Sequence, residues 1–277
     1  MKPVAFDYAR PFSLSEAVAL LDAGGTAAKV LAGGQTLGPM LNLRLVRPEL
    51  LVDVTRIPEL TRMEEEPESI VLGACTTHAA IEDGRIPEGT RGLMPAVARG
   101  IAYRAIRNRG TIGGSLAHAD PAADWITWLT VVDAEALIFG PSGRRSVPIA
   151  AFMTGVFETV MEASEILEAV RVPKVAAGTQ CGLYKVCRKT GEFADAIGAI
   201  LWDPERSLCR LVVGATDSTP IVLENRADLF GGAIDPPLHP RFDRQRAAVA
   251  LGEHGLVDPF DRQVHAVALE RAVRQVE

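Results

Sequence analysis

The chain has 277 residues, 48% of them hydrophobic and 23% charged, with a formal net charge of -6 and a pI near 5.5. This length suits two domains, and the composition is that of a folded globular protein. The acidic surplus argues against a nucleic-acid surface, which needs clustered Lys and Arg. No apolar run reaches the ~20 residues of a membrane helix, and the opening Met1 to Asp7 lacks a signal-peptide pattern, so the cytoplasm is the expected compartment. Cys75, Cys181, Cys187 and Cys209 contain no CxxC pair, which predicts free thiols and no cluster or metal held by this chain.

In chain order, Ser13 and Glu16 form a capping box, and Leu14, Ala17, Val18 and Leu21 recur at helical spacing until Gly24 and Gly25. A short strand over 29–32 feeds a glycine-rich loop, a brief helix is expected over 39–45, and a second strand over 50–54. After the acidic link 64–68 comes a strand over 69–74, a helix capped by Thr76 or Thr77 and running through Ile81, and a helix over 93–101. Residues 107–124 then read as a loop, followed by a helix over 125–132 that is apolar on nearly all sides and therefore expected to be buried. Strands over 134–139 and 144–147 flank the turn 140–143, and another spans 165–172. The small, polar stretch 174–179 marks a domain boundary. Beyond it lie strands over 181–188, 193–202 and 207–215, then helices over 241–252 and 261–276, which suggests a small domain with helices on one face of a sheet.

The chemistry-bearing signal is a pair of glycine-rich segments. One is Leu31-Ala32-Gly33-Gly34-Gln35-Thr36-Leu37-Gly38; the other runs from Arg107 to Asp124 and contains Thr111-Ile112-Gly113-Gly114-Ser115. Glycine permits positive φ and close backbone approach, and tight turns of this kind present N–H groups to phosphate oxygens. Two such cradles suit a dinucleotide. GxGxxG and the P-loop pattern are both missing, so neither a Rossmann domain nor nucleotide hydrolysis has an anchor. His118, Asp120 and Asp124 lack a metal-ligand spacing, and Ser115 is not in a nucleophile elbow. The chemistry is therefore expected to come from a cofactor, with Asp124 either accepting from sugar hydroxyls or serving as a helix-start acid.

Ala32-Gly33-Gly34-Gln35-Thr36-Leu37 followed by Asn42-Leu43-Arg44, together with Arg107-Asn108-Arg109-Gly110-Thr111-Ile112-Gly113-Gly114-Ser115 and Ala117-His118-Ala119-Asp120-Pro121-Ala122-Ala123-Asp124, closely resemble the FAD-binding medium subunit of molybdenum hydroxylases of the carbon monoxide dehydrogenase and xanthine dehydrogenase type. The resemblance implies an α+β protein. A two-subdomain FAD-binding region of the PCMH (vanillyl-alcohol oxidase) type would occupy residues 1–175, split at about 60, and residues 176–277 would form a domain with a three-stranded antiparallel sheet and helices. It implies FAD on this chain, with the molybdopterin cofactor on a large partner subunit and [2Fe-2S] clusters on a small one, in a dimer of heterotrimers.

By the same resemblance, the amides of 32–36 and 111–115 would hold the FAD diphosphate. Leu31, Leu37 and Ile101 would border the cofactor, Asp124 would meet ribityl or sugar hydroxyls, and Leu167 would contact the flavin or adenine portion. Lys185 would place a cation near the isoalloxazine, and Tyr184 would pack near the ring. Tyr103 stands where family members often carry His, and residues 188–195 depart from the family's run of arginines and an aspartate. The alternatives are a free-standing flavin oxidase, or an assembly subunit that has lost FAD.

Overall fold

The computed structural model describes residues 2–276. The first layer comprises β1 (Asp7–Ala9), α1 (Leu14–Gly24), β2 (Ala28–Leu31), α2 (Leu37–Asn42) and β3 (Leu50–Asp53). Ser13 caps α1 by accepting from the Glu16 amide, and Leu14, Ala17, Val18 and Leu21 form the buried face that the periodicity predicts. The strands make a parallel sheet in the order β1-β3-β2. The first glycine segment leaves the end of β2 and enters α2, so it lies at the C-terminal edge of a parallel strand. Strand β1 has no counterpart in the sequence reading, because three residues give too short a pattern to detect.

The second layer holds β4 (Met63–Glu65), β5 (Ser69–Gly73), α3 (His78–Glu82), α4 (Leu93–Arg99), α5 (Arg104–Arg107), α6 (Ile112–His118), α7 (Asp124–Val131), β6 (Glu135–Gly140), β7 (Gly143–Pro148), α8 (Ile149–Phe152), the hairpin β8 (Met153–Gly155) and β9 (Glu158–Thr159), and β10 (Ile166–Pro173). Its five-stranded sheet runs β4-β5-β10-β6-β7, with every pairing antiparallel. All eight residues of α7 are buried, as its apolar circumference predicts.

The third layer contains β11 (Gln180–Val186), β12 (Ala196–Asp203), β13 (Leu208–Gly214), β14 (Ile221–Glu224), α9 (Arg244–Glu253) and α10 (Pro259–Val273). The sheet has four antiparallel strands in the order β11-β12-β13-β14, which corrects the three-stranded expectation. Strand β14 has only four residues and follows Pro220, so neither length nor alternation marks it. This sheet lies between two cores. Ala199 and Leu201 of β12 join α7 and the first two layers, whereas the alternate residues Ile200 and Trp202 join α9 and α10. No helix among the described residues is long and apolar enough to cross a membrane.

Candidate functional site

The two glycine segments meet. A Cβ on Gly33 would stand 2.1 Å from the Arg109 carbonyl oxygen and 2.9 Å from the Gly110 Cα, so only glycine lets the first loop lie against the backbone leading into the second. Gly34 has φ +71°, a conformation that a side chain disfavours. Every amide from Ala32 to Leu37 donates to no acceptor among the described residues, while Gln35 turns its side-chain amide onto the Gly33 carbonyl. A half-exposed run of unspent donors beside a glycine contact fits a phosphate-bearing ligand.

The second segment differs from its sequence reading. Residues Ile112–His118 are the helix α6, with Thr111 as N-cap accepting from the Gly114 amide at 3.0 Å. Neither Gly113 nor Gly114 has positive φ. Adjacent glycines are poor helix formers, but the cap and the packing override that preference. Gly113 is needed because a Cβ there would fall 2.4 Å from the Ala74 Cβ. The Ile112, Gly113 and Ser115 amides are committed to the carbonyls of Thr76, Ala74 and Thr111. Of the amides from Thr111 to Ser115, only that of Thr111 remains free among the described residues, so most backbone donors of this site lie on the first segment.

Asp124 begins α7, and its Oδ2 receives the Lys185 Nζ of β11 at 2.9 Å, which ties two expected site residues across two layers. Both side chains are nearly enclosed, at 10% and 14% exposure. Burial pushes the Asp124 carboxyl above its ordinary range, and Lys185 pulls it part of the way back through its charge and hydrogen bond.

Tyr184 does not join them. Strand alternation turns it to the opposite face of β11, where its hydroxyl receives Arg271 of α10 and its ring lies 4.9 Å beneath that guanidinium. The Leu167 side chain is spent in the core at 5% exposure, next to a register shift in β10. Leu31 ends β2, Leu37 opens α2, and Ile101 forms a bridge to Gly191.

Several supporting residues carry no sequence signal of their role. Arg107 is buried; it grips both carboxylate oxygens of Glu82 at 2.8 and 3.0 Å and donates to the Ile101 and Ala102 carbonyls at 2.8 Å. It holds the Ile101 turn in place. Arg104 adds an exposed pair of contacts to Glu82 and Asp83. Their carboxylate partners lie more than twenty positions away, so no spacing motif reveals them.

Residues 4–175 match the family described as the FAD binding domain in molybdopterin dehydrogenase. The chain is 38% identical over 238 residues to the carbon monoxide dehydrogenase medium chain of Hydrogenophaga pseudoflava, spanning 84% of this chain and 83% of that one. It is 38% identical over 278 residues to the 6-hydroxypseudooxynicotine dehydrogenase complex subunit alpha of Paenarthrobacter nicotinovorans, spanning 98% and 91% of the two chains. Among solved structures, carbon monoxide dehydrogenase from Hydrogenophaga pseudoflava lacking the Mo-pyranopterin moiety of its molybdenum cofactor superposes with a TM-score of 0.86 at 33% identity, covering 99% of this chain and 98% of that one. Quinoline 2-oxidoreductase from Pseudomonas putida 86 gives 0.83 at 31% identity, covering 99% and 97%. With paired glycine segments, unspent amides and these relatives in agreement, the chain belongs to the family of FAD-binding medium subunits of molybdenum hydroxylases.

Proposed function

We propose that this chain is the electron-relaying flavoprotein of a three-chain molybdenum hydroxylase. Its partners are a large subunit with the molybdopterin cofactor and a small subunit with [2Fe-2S] clusters, assembled as a dimer of heterotrimers in the cytoplasm. The carrying observation is the run of unspent amides from Ala32 to Leu37, closed against the Arg109 backbone through Gly33. Residues 1–175 form the FAD-binding region, with subdomains meeting near residue 60, and residues 176–277 form the C-terminal domain.

In this reading the first segment grips the diphosphate, aided by the Thr111 amide and the Ser115 hydroxyl. Asp124 serves the ribityl or sugar hydroxyls while holding Lys185, and Lys185 directs its cation toward the isoalloxazine. Leu31, Leu37 and Ile101 border the cofactor. FAD, when bound, supplies the redox chemistry by which electrons from the clusters reach an external acceptor. The protein's share is binding, orientation and charge placement.

The test is purification of the complex from its native host, with identification of its chains and mass analysis of the released cofactor. Large and small redox partners together with FAD on this chain are expected. An intact complex without FAD would sink the cofactor assignment, and an isolated chain with full substrate turnover would sink the subunit assignment.

A further inference from the structure

His78 is 5% exposed and is the first residue of α3, which Thr77 caps by accepting from the Ala80 amide. Its Nδ1 accepts the Trp125 indole N–H at 3.1 Å. An imidazole nitrogen accepts only when it carries no proton, so the ring is neutral with its proton on Nε2. The His78 backbone amide donates to the Gly110 carbonyl at 2.9 Å. The ring lies close over Gly110, where a Cβ would stand 2.9 Å from His78 Cδ2 and 3.1 Å from Nε2. Gly110 follows Arg109, whose carbonyl meets Gly33, and Trp125 follows Asp124. One residue thus joins the junction of the glycine segments to the helix start that carries Asp124.

We propose that neutral His78 is a positioning residue for FAD, fixing Gly110 relative to Trp125, and that its protonation releases the cofactor. This inference rests on the FAD reading above. A proton on Nδ1 converts the acceptor into a donor facing the Trp125 N–H, so the bond is lost and two donors oppose each other. Burial, followed by the charge of Arg107 on α5, holds the ring's pKa down at about 4, so acid is needed to charge it. The other charged groups on the surrounding elements already have partners or solvent. Glu82 of α3 is bound by Arg107 and Arg104, and Asp83, just past the helix end, by Arg104; on α7, Asp124 is bound by Lys185; on α4, Arg99 is exposed.

The full chain loaded with FAD is titrated from neutral pH to about pH 4 while bound flavin and the Trp125 indole N–H resonance are followed. Flavin release and movement of that resonance are expected together. His78→Asn keeps an acceptor near the Nδ1 position and cannot gain the proton, so it should bind FAD at neutral pH and lose the acid release. His78→Leu should weaken FAD binding about tenfold. If His78→Leu fails to fold, the pH comparison with His78→Asn still decides. Acid release unchanged in His78→Asn, a Trp125 resonance indifferent to pH, or wild-type affinity in folded His78→Leu would each overturn the proposal. Failure of the unmodified chain to bind FAD at neutral pH would instead overturn the cofactor reading beneath it.

Discussion

Replacing Gly33 by alanine adds one methyl group at the contact between the two glycine segments. That carbon would stand 2.1 Å from the Arg109 carbonyl oxygen and 2.8 Å from its carbon. Real contacts of this kind need about 1 Å more, and the opposing atoms are backbone, so the segments must part by roughly that distance. A hydrogen bond to a phosphate oxygen does not survive such a displacement. Loss of one or two charge-assisted bonds removes about 3 kcal/mol, or roughly a hundredfold in Kd. Gly38→Ala is the control, because its added Cβ has no neighbour within 4 Å. Fluorescence titration of the flavin-free chains gives the affinities, and thermal melts without FAD show whether each variant folds. A folded Gly33→Ala chain that binds FAD as tightly as Gly38→Ala would refute the cradle.

Three further outcomes are expected. Lys185→Met leaves Asp124 enclosed without its cation, which should cost about 3 kcal/mol in urea unfolding of the flavin-free chain, while Asp124→Asn combined with Lys185→Met should recover much of the loss; equal midpoints for the single and double variants would contradict the pairing. Gly113→Ala forces a methyl to within 2.4 Å of the Ala74 Cβ, so it should destabilise the chain by about 1–3 kcal/mol even without FAD, which a melt of the flavin-free protein measures. His78 is held near pKa 4 in the folded chain against 6.5 for the free side chain, so between these values the unfolded state binds more protons. Stability present above pH 6.5 is therefore lost as pH falls toward 4, by roughly 3 kcal/mol in all; melts of His78→Asn over this window should lack that part of the slope.

Some of the architecture was legible because its signal is local. The Ser13 cap, the helical spacing of Leu14 to Leu21, the buried α7 and the long strands β10, β12 and β13 all follow from short-range patterns. Two elements near the site illustrate the limit. The sequence reads Thr111 to Ser115 as a turn because Gly113 and Gly114 permit positive φ, yet neither adopts it, and a Thr111 cap and contact with Ala74 make the segment a helix. Tyr184 and Lys185 are neighbours in sequence, but the two-residue period of β11 sends one to Arg271 and the other to Asp124.

The sequence by itself determined that two glycine segments exist, which residues they contain, and the family whose motifs they match. Only the tertiary structure decided what each glycine does. Gly33 is set against a backbone more than seventy positions away, Gly113 against Ala74, and the donors left over lie mainly on the first segment. The reason is physical: composition shows where a side chain is missing, whereas the atoms that fill the space, and the amides left without partners, are set by distant segments brought together in folding.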